Sequence, residues 1–286
     1  MHSWYKISIG SKALILCKNS LNLHSKRFRK EIMSAEINSN SAKVTSKPNN
    51  WFTSWFDTPF YHILYKDRDY SEAQLFMDNI TQYLNLPEDA KILDLACGKG
   101  RHSIYLNSLG YDVTGADLSE NSIAEAKKSE NETLRFEVHD MRLPFDEKFD
   151  AIFNLFTSFG YFENDADNLT TLKAIKESIS EYGFAVIDFM NVHHVIENLV
   201  AEEVKIVDDI AFHIKRHHTD GHIYKEIDFE FENKKYHFTE KVQALTLSDF
   251  EAMMEEAGIF LLDIFGDYKL KKFHKLESER LIMIFK

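Results

Sequence analysis

From Lys91 to Met190 short apolar runs alternate with stretches of helical length, and few architectures accept that rhythm. "KILDLAC", "YDVTGAD", "LRFEVHD", "FDAIFNLFTSF" and "FAVIDFM" read as five strands. Residues 101–109, a stretch that Ser119 caps and that ends near Ser129, and residues 165–181 read as helices between them, with Gly110 and Gly183 as stops. Unbroken apolar runs suit strands buried on both faces, and parallel strands need a crossover rather than a tight turn. The pattern therefore predicts an α/β fold, a doubly wound sheet with helices on both faces.

The flanks read differently. An aromatic segment, Trp51 to Tyr70, precedes a helix in which Ala73, Phe76, Met77, Ile80 and Leu84 recur at helical spacing. Ser71 and Gln74 read as its capping-box pair, and Pro87 ends it. After the fifth strand, residues 204–245 read as an antiparallel meander of three strands, "IAFHIKRHH", "HIYKEIDFEFE" and "YHFTEKVQAL", joined at "TDG" and "NKK". Ile223, Ile227, Phe229 and Phe231 alternate with Tyr224, Glu226, Asp228 and Glu230, so one face is apolar and the other wet. Ser248 and Glu251 are expected to cap one more helix, which Gly258 ends. "IFLLDIF" and "RLIMIF" close the chain as a pair of strands. Residues 49–286 are thus expected to form the folded domain, with 204–245 as a cap inserted in it.

Of the 286 residues, 44% are hydrophobic, enough for a sizeable core, and no apolar run approaches the roughly 20 residues of a membrane span. Cys17 and Cys97 stand in unrelated contexts, so no disulfide framework is expected and a reducing cytoplasm is the default compartment. The net charge of −12 is uneven: residues 1–32 carry seven Lys/Arg against Glu31 alone, which leaves −18 on the remainder. An acidic body repels phosphate backbones and disfavours nucleic acid as a partner. The basic leader, residues 1–48, admits three readings: a targeting presequence, a flexible arm, or sequence upstream of a start at Met33.

The chemistry is concentrated where the first strand meets its turn. Gly98-x-Gly100-x-x-Ser103 lacks the third glycine of a dinucleotide fingerprint, and no Lys-Ser/Thr follows it as in a phosphate-binding loop. Acids surround it, however: Asp94 inside the first strand, Asp117 at the end of the second, and Asp140, with Met141 beside it, at the end of the third. Asp117 is placed to accept both hydroxyls of a ribose and Asp140 to meet an adenine edge. Three strand-end acids on one rim describe a pocket for an adenosine with a charged tail, since packing alone gives no reason for them.

"LDLACGKGRHS", followed by "GADLS" and "HDMRLPF", resembles the first three motifs of class I S-adenosylmethionine-dependent methyltransferases. The resemblance covers about residues 51–286, with Ala96 standing where the family often has its first glycine. It implies a Rossmann-like seven-stranded sheet of order 3-2-1-4-5-7-6 with strand 7 antiparallel, a place that "RLIMIF" suits, and S-adenosylmethionine as cofactor. A closer likeness is to sugar N,N-dimethyltransferases and, more distantly, glycine N-methyltransferases, carried by Tyr65–Arg68–Tyr70, by "FTSFGYF" after strand 4 and by the inserted strands. By that resemblance the Asp94–Gly100 turn, with Ala96, Cys97 and Gly98, lies under the methionine part. Asp117 and Leu118 flank the ribose, Asp140 and Met141 the adenine, Leu155 and Phe156 complete the site, and Tyr65 and Arg68 reach the cofactor's carboxylate.

The acceptor side is read more coarsely. Tyr61, Tyr65, Tyr161 and His193 are candidates to orient an acceptor or take its proton. His193 and His194, with His213, His217, His218 and His222 on a hairpin, do not form a metal site, because neighbours on a strand point to opposite faces and no cysteine joins them. Asn154-Leu155-Phe156-Thr157 lacks the Pro-Pro of enzymes that methylate base amines, and no activated thiolate stands near strand 4 for cytosine C5 chemistry. The expectation is N- or O-methylation of a small molecule by a monomer or homodimer. A protein or RNA methyltransferase and a non-catalytic S-adenosylmethionine-binding protein are the alternatives.

Overall fold

The computed structural model describes residues 55–66 and 70–286, which fall within one compact unit running from Asn50 to Lys286. The leader 1–48, Trp51 and Arg68 lie outside the described residues. In chain order the first elements are α1 (Pro59–Leu64), α2 (Tyr70–Leu84), β1 (Lys91–Leu95), α3 (Arg101–Ser108), β2 (Asp112–Asp117), α4 (Glu120–Ala126) and β3 (Leu134–Val138). Then come β4 (Phe149–Asn154), α5 (Asp165–Ser178), β5 (Ile179–Met190), α6 (Val192–Glu197), β6 (Glu202–Val207) and β7 (Ile210–Thr219). The chain closes with β8 (His222–Phe231), β9 (Lys234–Gln243), α7 (Leu247–Ala257), β10 (Leu261–Phe265) and β11 (Arg280–Phe285).

Seven strands form the main sheet in the order β10-β11-β5-β4-β1-β2-β3, and β11 runs antiparallel to both neighbours. With β10 and β11 as the sixth and seventh strands, this is the expected order. All other pairings in the sheet are parallel, which aligns the carboxyl ends of β1 to β5 along one rim. Two apolar layers cover the sheet. One holds Phe76, Met77 and Ile80 of α2 with Leu106 and Ile123; the other holds Leu172 and Ile175 of α5 with Phe250 and Met254 of α7. At about 25 cal/mol per Å² these buried aliphatic and aromatic side chains are the main source of stability.

Several elements depart from the sequence expectation for local reasons. The inserted sheet has four strands in the order β6-β7-β8-β9, not three, and runs from Glu202 to Gln243. Its extra edge strand β6 is almost wholly exposed and so lacks a clean apolar alternation. Asp208–Asp209, Asp220–Gly221 and Glu232–Asn233 turn the three hairpins, each pair at positive φ as the twist of two-residue turns requires. Helix α5 stops at Ser178 instead of 181: the Ser178 hydroxyl bonds back to Ala174 O and accepts from Phe145 N, and β-branched Ile179 starts β5. Gly183 accordingly lies inside β5 and does not end the helix; a Cβ there would come 2.7 Å from Phe149 O, where the β4–β5 register slips.

Helix α2 begins at Tyr70, which places Ser71 inside the first turn and not at the cap. Helix α7 is capped by Thr246 and Asp249 in a reciprocal capping box, two residues ahead of the expected Ser248–Glu251 pair, while Gly258 ends it in the left-handed conformation as expected. Strand β4 ends at Asn154, well before Phe159, because Phe156 and Thr157 turn to φ 66° and 67°.

Candidate active site

The rim is built around the turn after β1. The chain passes through Ala96, Gly98 and Gly100 at φ 65°, 56° and 80° before α3 begins. Ala96 N and Cys97 N both donate to Ala116 O, at 2.7 and 3.0 Å, and tie the turn to β2. A Cβ on Gly100 would lie 2.5 Å from the Phe136 ring, and so would a Cβ on Gly115. Phe136 thus packs across both glycines, and fully buried Ser103 fits beside Gly115 where a dinucleotide fold has its third glycine. Over Gly98 a Cβ would meet nothing within 4 Å, so the turn is open on that side.

The three acids differ in their partners. Asp94 is buried, and the Ser103 hydroxyl donates to its Oδ2 at 2.6 Å; burial pushes its carboxyl up to about 6. Asp117 accepts from Gly98 N and Ser119 N, each at 2.8 Å, and burial raises its carboxyl above the usual range. Asp140 is gripped by Arg142 through Nη2 at 2.6 Å and Nε at 3.0 Å, and this pairing holds it below the usual range. Arg142 in turn reaches Asp167 at 2.9 Å. Burial raises the Cys97 thiol well above its ordinary value, which keeps it protonated in its packing role. Leu118 is exposed on the rim, and Met141 packs half-buried against the core.

At the end of β4, Leu155 is buried and the Phe156 ring lies against α3, 5.0 Å from the His102 ring and 4.4 Å beneath the Arg101 guanidinium. Asn154 Nδ2 donates to Leu95 O at 3.0 Å, while its buried Oδ1 has no partner. The open face over Gly98, this unanswered acceptor and Asp94, whose carboxylate is bonded by Ser103 but, among the described residues, by no cation, fit a polar, partly cationic group laid along the rim. A separate cavity of about 260 Å³ lies between α2 and α3, lined by Met77, Arg101, His102 and Tyr105 among others.

A roof crosses this rim. Thr58 caps α1 by accepting from Tyr61 N, and Pro59 starts the helix where a missing N–H costs nothing. Just before it, Asp57 accepts from the Ser119 hydroxyl at the end of β2, and burial raises its carboxyl. The Phe56 ring meets Tyr161 at 5.6 Å, and Tyr61 packs on Trp55, Phe56 and Tyr65. The Tyr65 hydroxyl donates to Glu240 at 2.7 Å, as does Trp55 Nε1; Lys225 Nζ donates to the same hydroxyl and lies 4.5 Å from the centre of the Tyr65 ring.

The structure thus brings Tyr61, Tyr65 and Tyr161 together under the inserted sheet. His193 stands with His194 on α6, a helix and not a strand, as a separate element from that group. Sequence reasoning passed over Glu240 and Lys225. The available signal was that Lys225 interrupts the apolar face of Ile223, Ile227 and Phe229. Also passed over was Asp188, the acid within the apolar run 184–190 of β5, with Arg280 on β11 at 2.8 Å. Among the described residues, no group of three His, Cys, Asp or Glu side chains is placed to hold a metal ion, and no helix is long and apolar enough to cross a membrane.

Comparison with known proteins agrees with this geometry. Residues 92–183 match a family profile described as a methyltransferase domain. The Bacillus subtilis protein YqeM, named as a methyltransferase, is 27% identical over 221 residues, 69% of this chain and 84% of that protein. A glycine/sarcosine N-methyltransferase of Halorhodospira halochloris is 24% identical over 214 residues, 70% of this chain and 76% of that protein. In fold, the chain is similar to the crystal structure of an S-adenosylmethionine-dependent methyltransferase from Clostridium acetobutylicum, with a TM-score of 0.68 at 23% identity, covering 84% of this chain and 99% of that one.

Proposed function

We propose that this S-adenosylmethionine-dependent methyltransferase acts on an amine or hydroxyl of a small molecule held between the rim and the roof. The observation that carries this reading is the aromatic segment 55–65, anchored to the end of β2 through Asp57 and to the inserted sheet through Trp55 and Tyr65. A roof fixed at both ends suits a molecule of a few rings or fewer better than a polymer. The acidic body favours neutral or cationic acceptors, and the similarity to a glycine/sarcosine N-methyltransferase supports an amine.

S-adenosylmethionine supplies a methyl on a sulfonium, already a good leaving group, so the protein has little covalent work to do. In this reading the Asp94–Gly100 turn holds the methionine part, and ionised Asp94 answers its positive charge. Asp117 and Leu118 take the ribose, and Asp140 and Met141 the adenine, with Asp140 oriented by Arg142. Leu155 and Phe156 close the site from β4, and Arg68 is assigned the cofactor's carboxylate. Tyr61, Tyr65 and Tyr161 position the acceptor and exclude water, which is where most of the acceleration arises. His193 is the candidate to accept the proton released by the nucleophile.

The test is transfer of a labelled methyl from S-adenosylmethionine into a size-fractionated cell extract. Label in the low-molecular-weight fraction is expected. Label confined to protein or RNA would overturn the small-molecule reading.

A further inference from the structure

We propose that Asp188 is a positioning residue: with Arg280 and Tyr268 it holds the Phe156–Thr157 turn in the left-handed conformation that sets Phe156 against the cofactor rim. Two consecutive residues other than glycine at φ 66° and 67° are costly, and one of them is β-branched. Such a conformation persists only where its surroundings over-determine it.

The surroundings here converge on one residue. Phe156 N donates to Asp188 Oδ2 at 3.1 Å, and Thr157 N donates to the Asp188 backbone oxygen, also at 3.1 Å. Both strained residues are therefore pinned to the same point on β5. Asp188 is fully buried and is held by others: Arg280 Nε donates to Oδ1 at 2.8 Å and the Tyr268 hydroxyl to Oδ2 at 3.0 Å. Arg280 Nη2 also reaches the Thr157 hydroxyl at 3.3 Å, so it grips both the anchor and the turn. Sheet register makes this possible. Asp188 pairs with Ile282 and Arg280 with Met190, which lets the guanidinium reach diagonally back along β5. On the other side of the turn, the Phe156 ring is set against His102 and Arg101 in the first turn of α3, directly after Gly100. Relaxing the turn would withdraw that ring from the start of the helix that the glycine turn feeds.

The inference rests on the reading of the rim as the cofactor site. Its test is calorimetric titration of the full chain with S-adenosylmethionine, alongside near-ultraviolet circular dichroism to verify folding. Asp188→Asn keeps an acceptor for Phe156 N but loses the charge that orders Arg280, and about tenfold weaker binding is expected. Tyr268→Phe removes one donor and should weaken binding about threefold; it decides the matter if Asp188→Asn does not fold. Adding Thr157→Gly to either variant should restore most of the lost affinity, because glycine holds positive φ without help. A residue that merely stabilised the core would not be rescued this way. Folded variants that bind as wild type does, or that gain nothing from Thr157→Gly, would overturn the inference. Wild-type protein that binds no S-adenosylmethionine would overturn the rim reading itself, and this inference with it.

Discussion

Two aspartates sit fully inside the main sheet, Asp94 on β1 and Asp188 on β5, and they are equipped in opposite ways. Asp188 has an arginine, a tyrosine hydroxyl and a backbone amide around it. Asp94 has the Ser103 hydroxyl for a side-chain partner and a carboxyl raised to about 6 by burial. A buried carboxylate with a full set of partners is an architectural joint. One left short of positive charge is poised to meet a cation that arrives later, and the open face of Gly98 lies just beyond it in the turn. In the proposed reading, the same environment that makes Asp94 costly in the free protein is what suits it to a bound sulfonium.

Breaking the joint should have the largest effect. Arg280→Met leaves Asp188 buried and without its cation, and a loss of about 3–5 kcal/mol is expected in denaturant unfolding. Arg280 carries its charge in spite of burial because the carboxylates of Asp188 and, to a smaller degree, Glu72 hold its proton on.

The pH dependence separates the two aspartates next. Asp94 binds its proton more tightly folded than unfolded, so its contribution to stability is present below about pH 4. That contribution is lost as the pH rises to about 6, on the order of 3 kcal/mol in all. Asp117, raised by burial, slopes the same way, whereas Asp140, held low by Arg142, loses its contribution on acidification. The readout is therefore the difference in unfolding free energy between wild type and Asp94→Asn. It should change across pH 4–6 in the asparagine's favour and be flat above pH 7; a difference independent of pH would place Asp94 among the joints. By linkage, binding of S-adenosylmethionine should tighten over the same interval.

Smaller effects test the roof and the turn. Glu240→Gln leaves Lys225, largely shielded from solvent, with a neutral partner, and about 1–2 kcal/mol of stability should be lost in a urea melt. Ala96→Gly relieves an alanine at φ 65° but loosens the unfolded chain, and should stabilise by about 0.5 kcal/mol. A loss of stability there would mean that the alanine methyl packs usefully.

The half of the molecule around Asp94 was legible in the sequence because its signals are local. Buried strands, glycines and strand-end acids lie within a few residues of one another from Lys91 to Met141, and each element obeys its own period. What was missed depends on partners far along the chain. Asp188 and Arg280 are 92 residues apart, and Tyr65 and Glu240 are 175 apart. No periodicity announces such pairs; the trace they leave is a charged residue in an otherwise apolar face, as with Asp188 in β5 and Lys225 in β8. Strand β6 escaped because an exposed edge strand needs no apolar face. The helix ends shifted because side-chain hydroxyls at Ser178 and Thr246, not the nearest glycine or serine in the sequence, set them.

The central claim is that the cofactor lies along the rim of β1 to β4 and leaves the inserted sheet to the acceptor. Hydrogen–deuterium exchange of the full chain with and without S-adenosylmethionine measures this directly. The account predicts slower exchange in peptides covering 94–103, 117–119, 140–142 and 155–158, with β6 and β7 unchanged. Protection confined to the inserted sheet, or to the cavity between α2 and α3, would contradict it.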